Sequence, residues 1–187
     1  MTEIPNDDEA SDQDRARAWA VKLLAQPDLL ILDTETSGLH GSAEIVQIAI
    51  IDKSGTVLLD TLVRPTRPIP RDASAIHHIT DERVKDAPTF ADIAPQLREL
   101  LHGQTVVIYN ADFDCRMLKQ SAAACGLIHE LGCFFEDAME PYSAWVGSWS
   151  SFHRNYRWQR LPGGDHSALG DCRACLNVLK MMAEPPF

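Results

Sequence analysis

An apolar run that ends abruptly in two carboxylates dominates this sequence. Residues 29–32 are all leucine or isoleucine, and Asp33 and Glu35 follow them in the segment LLILDTETSGL. A short continuous apolar run bounded by a turn is typical of a buried strand. Because side chains alternate along a strand, Asp33 and Glu35 point to one face and Thr34 to the other. The pattern predicts either a cation site at the end of this strand, since paired carboxylates repel one another, or an acidic pair that faces water.

Hydrophobic periodicity predicts the remaining elements. Strands are expected at 45–52, 56–63 and 105–109, and a hairpin turn at 53–55 joins the first two. Helices are expected over 14–26, after Thr89, from Asp112 to near Gly126, and around 169–179 before Pro185 and Pro186. Three hairpin-compatible strands followed by helix, strand, helix, strand and helix suit an α/β fold, a mixed central β-sheet flanked by helices on both faces.

Two of these expectations depend on local chemistry. Thr89 and Asp92 have the spacing of a helix capping box, in which each side chain binds the other residue's backbone N–H. The segment RPTRPIPRD at 64–72 is rich in proline and predicts an extended, irregular loop.

Size and composition fit one folded domain. The chain has 187 residues, of which 45% are hydrophobic, enough to build a sizeable core. We expect an acidic tail and short helix over 1–27, with residues 1–12 disordered. A single folded domain is expected over 28–183. The beginning of the sequence has no basic and apolar leader, and no later run is long enough to span a bilayer, so a cytoplasmic protein with no membrane partner is expected.

The net charge limits how the chain can bind nucleic acid. The formal charge is −10 with a pI of about 5.0, and half of that charge lies in residues 1–15. Phosphate binding by charge alone needs a basic face, so a passive coat protein is excluded. A polyanionic substrate would require an added cation, and a divalent metal ion is the obvious candidate.

The cysteines do not form a recognisable metal or disulfide framework. Five are present, an odd number, and only Cys172 and Cys175 form a C-x-x-C pair. That pair has no second Cys or His pair to complete a zinc site, and it lies within an apolar pattern of helical spacing. Core packing is favoured, while a redox protein, the alternative, would need a reactive and exposed Cys172.

Three further residues are weak candidates when each is taken alone. Asp114 follows the predicted strand 105–109 on the first turn of a helix, where an acidic residue also simply favours the helix dipole. His166 lies at the beginning of the last helix and Asp171 on its second turn, so both are expected to face the same gap. A lone histidine there is more often a surface residue than a general base.

Taken together, the three motifs DTETSGL, NADFDCRML and HSALGD resemble the DEDDh, or DnaQ-like, 3′→5′ exonucleases, which have a ribonuclease H-like fold. The resemblance runs from about Leu29 to Met182. The segment IHHITDERVKDAPTF also looks like one that these enzymes carry after their third strand. His78 departs from the pattern, because many members have glycine at this position.

The resemblance implies a metal-dependent enzyme that hydrolyses the terminal phosphodiester at the 3′ end of DNA or RNA, single-stranded or frayed. Two ions, Mg²⁺ or Mn²⁺, would be held by Asp33, Glu35 and Asp171 and by Asp33 with Asp114. His166 would be the general base. The positions that match nucleotide-binding residues are Thr34, Asp72, His77, Asn110 and Phe113, although Phe113 is also a core candidate. A non-catalytic nucleic-acid-binding module on the same fold is the alternative. The resemblance leaves the oligomeric state open.

A late aromatic segment allows two interpretations. Four aromatic residues recur at spacings of four, three and four inside 143–164, a segment predicted to be mobile with some helix: Trp145, Trp149, Phe152 and Tyr156. Arginines lie between and after them, so the segment could be a platform for unpaired bases and phosphates. The favoured interpretation is an amphipathic helix with a buried aromatic side, which leaves Trp158 and the arginines to face substrate.

Overall fold

The computed structural model describes residues 10–128 and 130–185. The strands are β1 Leu29–Thr36, β2 Ile45–Asp52, β3 Val57–Leu62, β4 Thr105–Ile108, β5 Phe134–Asp137, β6 Trp149–Ser150 and β7 Asn155–Tyr156. The helices are α1 Asp12–Ala25, α2 Arg71–His77, α3 Asp81–Val84, α4 Phe90–Leu101, α5 Ala111–Ala124, α6 Met139–Val146 and α7 Ala168–Ala183.

The main sheet has five strands in the order β3-β2-β1-β4-β5, with β1 at its centre. β1 pairs antiparallel with β2 and parallel with β4, while β2 pairs antiparallel with β3 and β4 parallel with β5. The predicted mixed central sheet is therefore confirmed. Because β1, β4 and β5 run parallel to one another, their carboxyl ends lie together at one edge of the sheet.

Helices cover both faces of this sheet, also as predicted. Leu30 and Leu32 of β1 lie in a core with α4 and α5, whereas Leu29 and Ile31 lie in a second core with α1 and α7. Burial of each such side chain stabilises the fold by about 1.5–3 kcal/mol. Because alternate β1 residues enter different cores, a slip of one residue in its register would exchange the two faces.

Helix caps fix where two of the helices begin. The Thr89 hydroxyl accepts from the backbone N–H of Asp92, whose carboxylate accepts from the N–H of Thr89, so the predicted capping box is confirmed. A second capping box between Ser11 and Asp14 begins α1 two residues before the predicted start. α1 packs by Ala16, Ala20 and Leu23 into the second core, which it shares with α7.

The favoured interpretation of the aromatic segment, a single amphipathic helix over 145–156, is wrong. α6 ends at Gly147, whose left-handed φ of 76° allows the chain to leave the helix. The chain then forms the β6–β7 hairpin. Trp145 packs against the second core, but Trp149 and Phe152 are exposed. Helical spacing alone did not reveal the break, because the turn glycine lies between two of the aromatic positions.

Two other local expectations differ from the structure. The loop predicted at 64–72 gives way to α2 at Arg71, directly after Pro70, whose extended backbone precedes the first turn. The fifth strand of the predicted element order, for which no position was predicted, is β5. It has only four residues, and Phe134 at its start is exposed, so it lacks the apolar run of a buried strand.

The ends of the chain are only partly described. Residues 1–9, 129 and 186–187 lie outside the described residues, so most of the predicted disordered tail and the predicted closure at Pro186 also lie outside them. Asp12, which the prediction placed in the tail, is the first residue of α1. Across the two described ranges, the helices are too short or too polar to cross a membrane.

Candidate active site

Asp33 and Glu35 lie near the carboxyl end of the central strand. Odd-numbered residues of β1 face the layer that contains α7, so both side chains point toward this helix. Glu35 is buried and Asp33 is partly exposed. The strand thus carries the pair to the rim of the sheet, where solvent and a ligand can reach it.

α7 and the loop before it bring two further groups to Glu35. Glu35, His166 and Asp171 each offer a ligand atom, and these atoms all lie within 4.8 Å of one another. The His166 side chain is exposed, and its backbone is left-handed with a φ of 60°. The structure therefore brings together three of the five residues that the sequence predicted for the catalytic centre.

Asp114 approaches from the other side of the sheet. It lies on the first turn of α5 and is 3% exposed, and its carboxylate accepts a 2.6 Å hydrogen bond from the Thr34 hydroxyl. Thr34 points away from Asp33 and Glu35, as its place in the strand requires, and toward Asp114. No local pattern in the sequence predicts this contact, because it joins residues 80 positions apart.

The carboxylates are close enough to perturb one another. Burial, followed by the charges of Asp114, Asp171 and Glu35, raises the pKa of Asp33 well above its usual range. Burial and the charge of Asp171 raise the pKa of Glu35 to about 8, and burial raises the pKa of Asp114 to about 7. Burial likewise raises the pKa of Asp171. A cluster of this kind favours a bound cation, because positive charge lowers the cost of ionising all of its members.

The donor atoms also fit a particular class of cation. Carboxylate oxygens are hard ligands of the kind that Mg²⁺ and Mn²⁺ prefer. The set of four carboxylates with one imidazole lacks the thiolates of a structural zinc site. The residues present therefore fit a divalent, oxygen-preferring ion.

The loop before α7 is held in place by groups that the sequence analysis did not single out. The backbone N–H of Asp165 donates to the Asp171 carboxylate at 2.8 Å, while the Asp165 carboxylate accepts from the backbone and hydroxyl of Ser167. Ser167 caps α7 by accepting from the N–H of Gly170. A Cβ at Gly170 would lie 2.1 Å from the Asp165 carboxylate, so glycine is required while Asp165 stays in place.

A cleft of about 550 Å³ adjoins Glu35 and His166. Of the positions predicted to bind a nucleotide, Thr34, Asp72, His77 and Phe113 line this cleft. Leu39 and Ile76, which the sequence analysis did not name, also line it and are exposed. Phe113 is partly buried and packs against the first core as well, so the core and cleft interpretations both describe part of its ring.

Asn110 and Trp158 do not line the cleft. Asn110 is the residue before α5, with a left-handed φ of 70° and no capping hydrogen bond from its side chain. Trp158 lines a separate cavity beside the β6–β7 hairpin. Both were predicted from their closeness in sequence to a motif or an aromatic stripe, and neither signal specifies which way a loop turns.

His77 lines the cleft, and both of its ring nitrogens form hydrogen bonds with the backbone. Its Nδ1 accepts from the backbone N–H of Ile79 at 3.0 Å, which leaves Nε2 to donate to the carbonyl of Thr36 at 3.1 Å. Burial lowers the pKa of His77, in keeping with a neutral ring. His78 ends α2 with a left-handed φ of 59°, the conformation that the more usual glycine favours, so the turn is kept despite the side chain.

The C-x-x-C pair is not a redox site. Cys172 and Cys175 are both buried, and the Cys172 thiol lies 3.4 Å from the carbonyl of Ala49. Burial raises the pKa of both thiols, which disfavours the reactive thiolate. The redox alternative is therefore wrong, and the predicted core packing is what the structure shows.

Comparison with known proteins agrees with this geometry. The profile of the RNase_T family, described as Exonuclease, matches residues 30–179. The chain is 39% identical over 191 residues to "Uncharacterized exonuclease CP81" of Escherichia phage 186, covering 94% of this chain and 95% of that protein. It is 29% identical over 179 residues to "DNA polymerase III subunit epsilon" of Treponema pallidum, covering 88% of this chain and 80% of that protein.

One shorter sequence match and two matches to solved structures are also to exonucleases. "Exodeoxyribonuclease 10" of Escherichia coli K12 is 41% identical over 93 residues, which cover 49% of this chain and 41% of that protein. The solved structure "Exonuclease X in complex with 5' overhanging duplex DNA" is 34% identical with a TM-score of 0.56, covering 80% of this chain and 89% of that one. An Escherichia coli Exonuclease I complex with a dA16 oligonucleotide has a TM-score of 0.63 at 18% identity, over 82% of this chain and 40% of that one, a likeness of fold alone.

Proposed function

Because the chain belongs to the RNase_T family of exonucleases, we propose that it removes nucleotides one at a time from the 3′ end of DNA and releases nucleoside 5′-monophosphates. The observation that carries this proposal is the convergence of carboxylates with His166 beside a cleft of nucleotide size. DNA is favoured over RNA because the printed names of relatives and of a structural neighbour refer to DNA or to deoxyribonuclease activity.

The carboxylates would hold two Mg²⁺ or Mn²⁺ ions. Asp33, Glu35 and Asp171 would hold one ion, and Asp33 with Asp114 would hold the other. The raised pKa values of Asp33, Glu35 and Asp114 support this assignment, since the cluster is costly to ionise without added positive charge. When bound, such ions stabilise the attacking and leaving oxygens of an in-line displacement.

His166 is assigned the proton transfer. Its imidazole is exposed at the mouth of the cleft and lies within reach of Glu35 and Asp171. A neutral imidazole in this position can take a proton from the attacking water through its free ring nitrogen. The hydrogen bond from the Asp165 N–H to the Asp171 carboxylate holds the loop that carries His166.

The cleft would bind the terminal nucleotide of the substrate. Phe113 offers a ring face for stacking, Leu39 and Ile76 offer apolar contact, and Asp72 offers an acceptor for a sugar hydroxyl. Thr34, which lines the same cleft, orients Asp114 through its hydroxyl.

Digestion of matched oligonucleotides tests both direction and substrate. DNA and RNA of one sequence, labelled at either the 3′ or the 5′ end, are incubated with Mg²⁺ or Mn²⁺, and Asp171→Asn purified in parallel controls for contaminating nuclease. We expect the 3′ label on DNA to be released at once as a mononucleotide, while the 5′ label passes through a ladder of shortening products. Release of the 5′ label first, a preference for RNA, or binding without any hydrolysis would each contradict the proposal.

A further inference from the structure

The β6–β7 hairpin and the loop that follows it, residues 148–160, form a second surface, here named the aromatic hairpin. It contains no acidic residue, and none occurs between Glu140 and Asp165, in a chain of net charge −10. It carries His153, Arg154, Arg157 and Arg160, all exposed. This segment therefore carries net positive charge in a protein that is acidic as a whole.

Large aromatic rings on this surface face solvent. Phe152 is 89% exposed and Trp158 is 74% exposed, although both are residues that normally bury their rings. The two rings line one cavity of about 730 Å³, together with His153, Tyr156 and Arg157. Exposed rings beside arginines are the arrangement that binds unpaired bases by stacking and their phosphates by charge.

Contacts from both strands anchor the base of the hairpin. Trp149 and Tyr156 pair across the two strands and pack edge to face, with ring centroids 5.1 Å apart. The hydroxyl of Tyr156 also donates to Asp12 of α1. Phe152 and Trp158 lie beyond this anchored base, so their exposure does not result from an unpaired chain end.

The aromatic hairpin is tied to the catalytic edge of the sheet. The Tyr109 hydroxyl donates to the carbonyl of Gln159 at 2.8 Å, and Tyr109 follows β4 directly before the helix that carries Asp114. Toward its other end, the loop continues to Asp165, whose N–H donates to Asp171. The surface is therefore connected to the segments that carry Asp114 and Asp171, and it does not line the cleft.

We propose that the aromatic hairpin binds the single-stranded stretch of DNA that leads into the cleft, upstream of the nucleotide being removed. Charge complementarity favours this occupant, because the arginines attract phosphates and the segment itself supplies no acidic partner for them. The proposal rests on the proposed function, in that the terminal nucleotide occupies the cleft.

Two substrates separate this surface from the cleft. The affinity for a long thymidine oligonucleotide with a hydrolysis-resistant phosphorothioate 3′ linkage reports on both regions, while hydrolysis of the p-nitrophenyl ester of thymidine 5′-monophosphate reports on the cleft alone. Phe152→Ala and Trp158→Ala should each weaken the affinity about 5- to 150-fold, the loss expected for one stacked base. Hydrolysis of the ester should be unchanged.

Matched variants control for a general loss of aromatic or charged residues. Phe134→Ala removes a ring that is 70% exposed at the start of β5. Phe134 lies at the amino ends of the parallel strands, away from their carboxyl ends, so this variant should change neither measurement. Arg157→Gln should make the negative slope of log affinity against log salt concentration shallower by about 0.7. Lys22→Gln on α1 should leave this slope unchanged.

Unchanged affinity in Phe152→Ala and Trp158→Ala would overturn the proposal. So would a loss of self-association in these variants by sedimentation velocity with unchanged affinity, which would assign the surface to a second copy of the chain. If the wild-type protein hydrolyses neither the p-nitrophenyl ester nor an unmodified oligonucleotide of the same sequence, the proposed function fails, yet the affinity measurements still decide whether this surface binds single strands.

Discussion

His166 and the carboxylates beside it are expected to contribute differently to catalysis. In the proposed mechanism the carboxylates would provide the oxygen ligands, whereas the imidazole of His166 is exposed and lines the cleft. A general base typically accelerates a reaction about 10²–10⁴-fold. We therefore expect His166→Ala to lose rate within that range while Mn²⁺ and DNA still bind, and Asp171→Asn to lose Mn²⁺ binding as well.

The pH profile distinguishes the base from a metal ligand. An imidazole must be neutral to accept a proton, so single-turnover rates at saturating metal should rise with pH on the acid side in the wild type. That rise should be absent in His166→Ala. An acid limb that persists unchanged in the variant, or a rate loss accompanied by loss of Mn²⁺ binding, would show that His166 is not the base.

The beginning of α7 positions His166 and Asp171, two side chains of the candidate site, through one tight contact. Gly170 leaves room for the Asp165 carboxylate, and the N–H of Asp165 in turn donates to Asp171. Alanine normally stabilises a helix relative to glycine by roughly 0.5–1 kcal/mol. At this position we expect the opposite, because the new Cβ would displace Asp165, at a cost of about 1–3 kcal/mol typical of overpacking.

Thermal unfolding and single-turnover rates measured together test this contact. Gly170→Ala should lower both the melting temperature and the rate. Gly41→Ala, which places a methyl group where nothing lies within 4 Å, should leave both near the wild-type values. Combining Gly170→Ala with Asp165→Ala removes the clash and should recover stability but not the rate. Full activity in Gly170→Ala would contradict this account of the loop.

For the whole molecule, the carboxylate cluster links stability to pH and to metal. The pKa values of Glu35 and Asp114 are raised to about 8 and about 7, above those of an unfolded chain. The folded state then binds more protons than the unfolded state between the two sets of values, so its stability falls as pH rises. Without divalent cation, the melting temperature should decrease from about pH 5 to about pH 8, and Mg²⁺ or Mn²⁺ should restore it.

Glu35→Gln tests the origin of that dependence. The neutral amide removes the cost of ionising residue 35, so the metal-free variant should be more stable than the wild type at about pH 8. A gain on the order of 1 kcal/mol corresponds to about 2–4 °C in a protein of this size. Glu130→Gln, an exposed glutamate, serves as the control and should show no gain. A metal-free wild type whose melting temperature is independent of pH would contradict the raised pKa values.

Features that depend on local geometry could be predicted from the amino-acid sequence. Side chains alternate along any strand, so Asp33 and Glu35 had to share a face once residues 29–32 formed a buried strand. The capping box of Thr89 and Asp92 likewise needs only a spacing of three residues. The order of strands and helices predicted the mixed sheet, because these connections allow few other arrangements.

How distant segments meet could not be predicted in this way and is seen in the tertiary structure. It brought Asp114 to Thr34 from the opposite helix layer, and it turned the chain at Gly147 so that Phe152 and Trp158 form a surface apart from the cleft. It also gave Gly170 its role, through contact with Asp165. The physical reason is that these contacts depend on which faces of helices and sheet are buried together, and burial of this kind is nonlocal, whereas periodicity reports only the environment of each segment along its own axis.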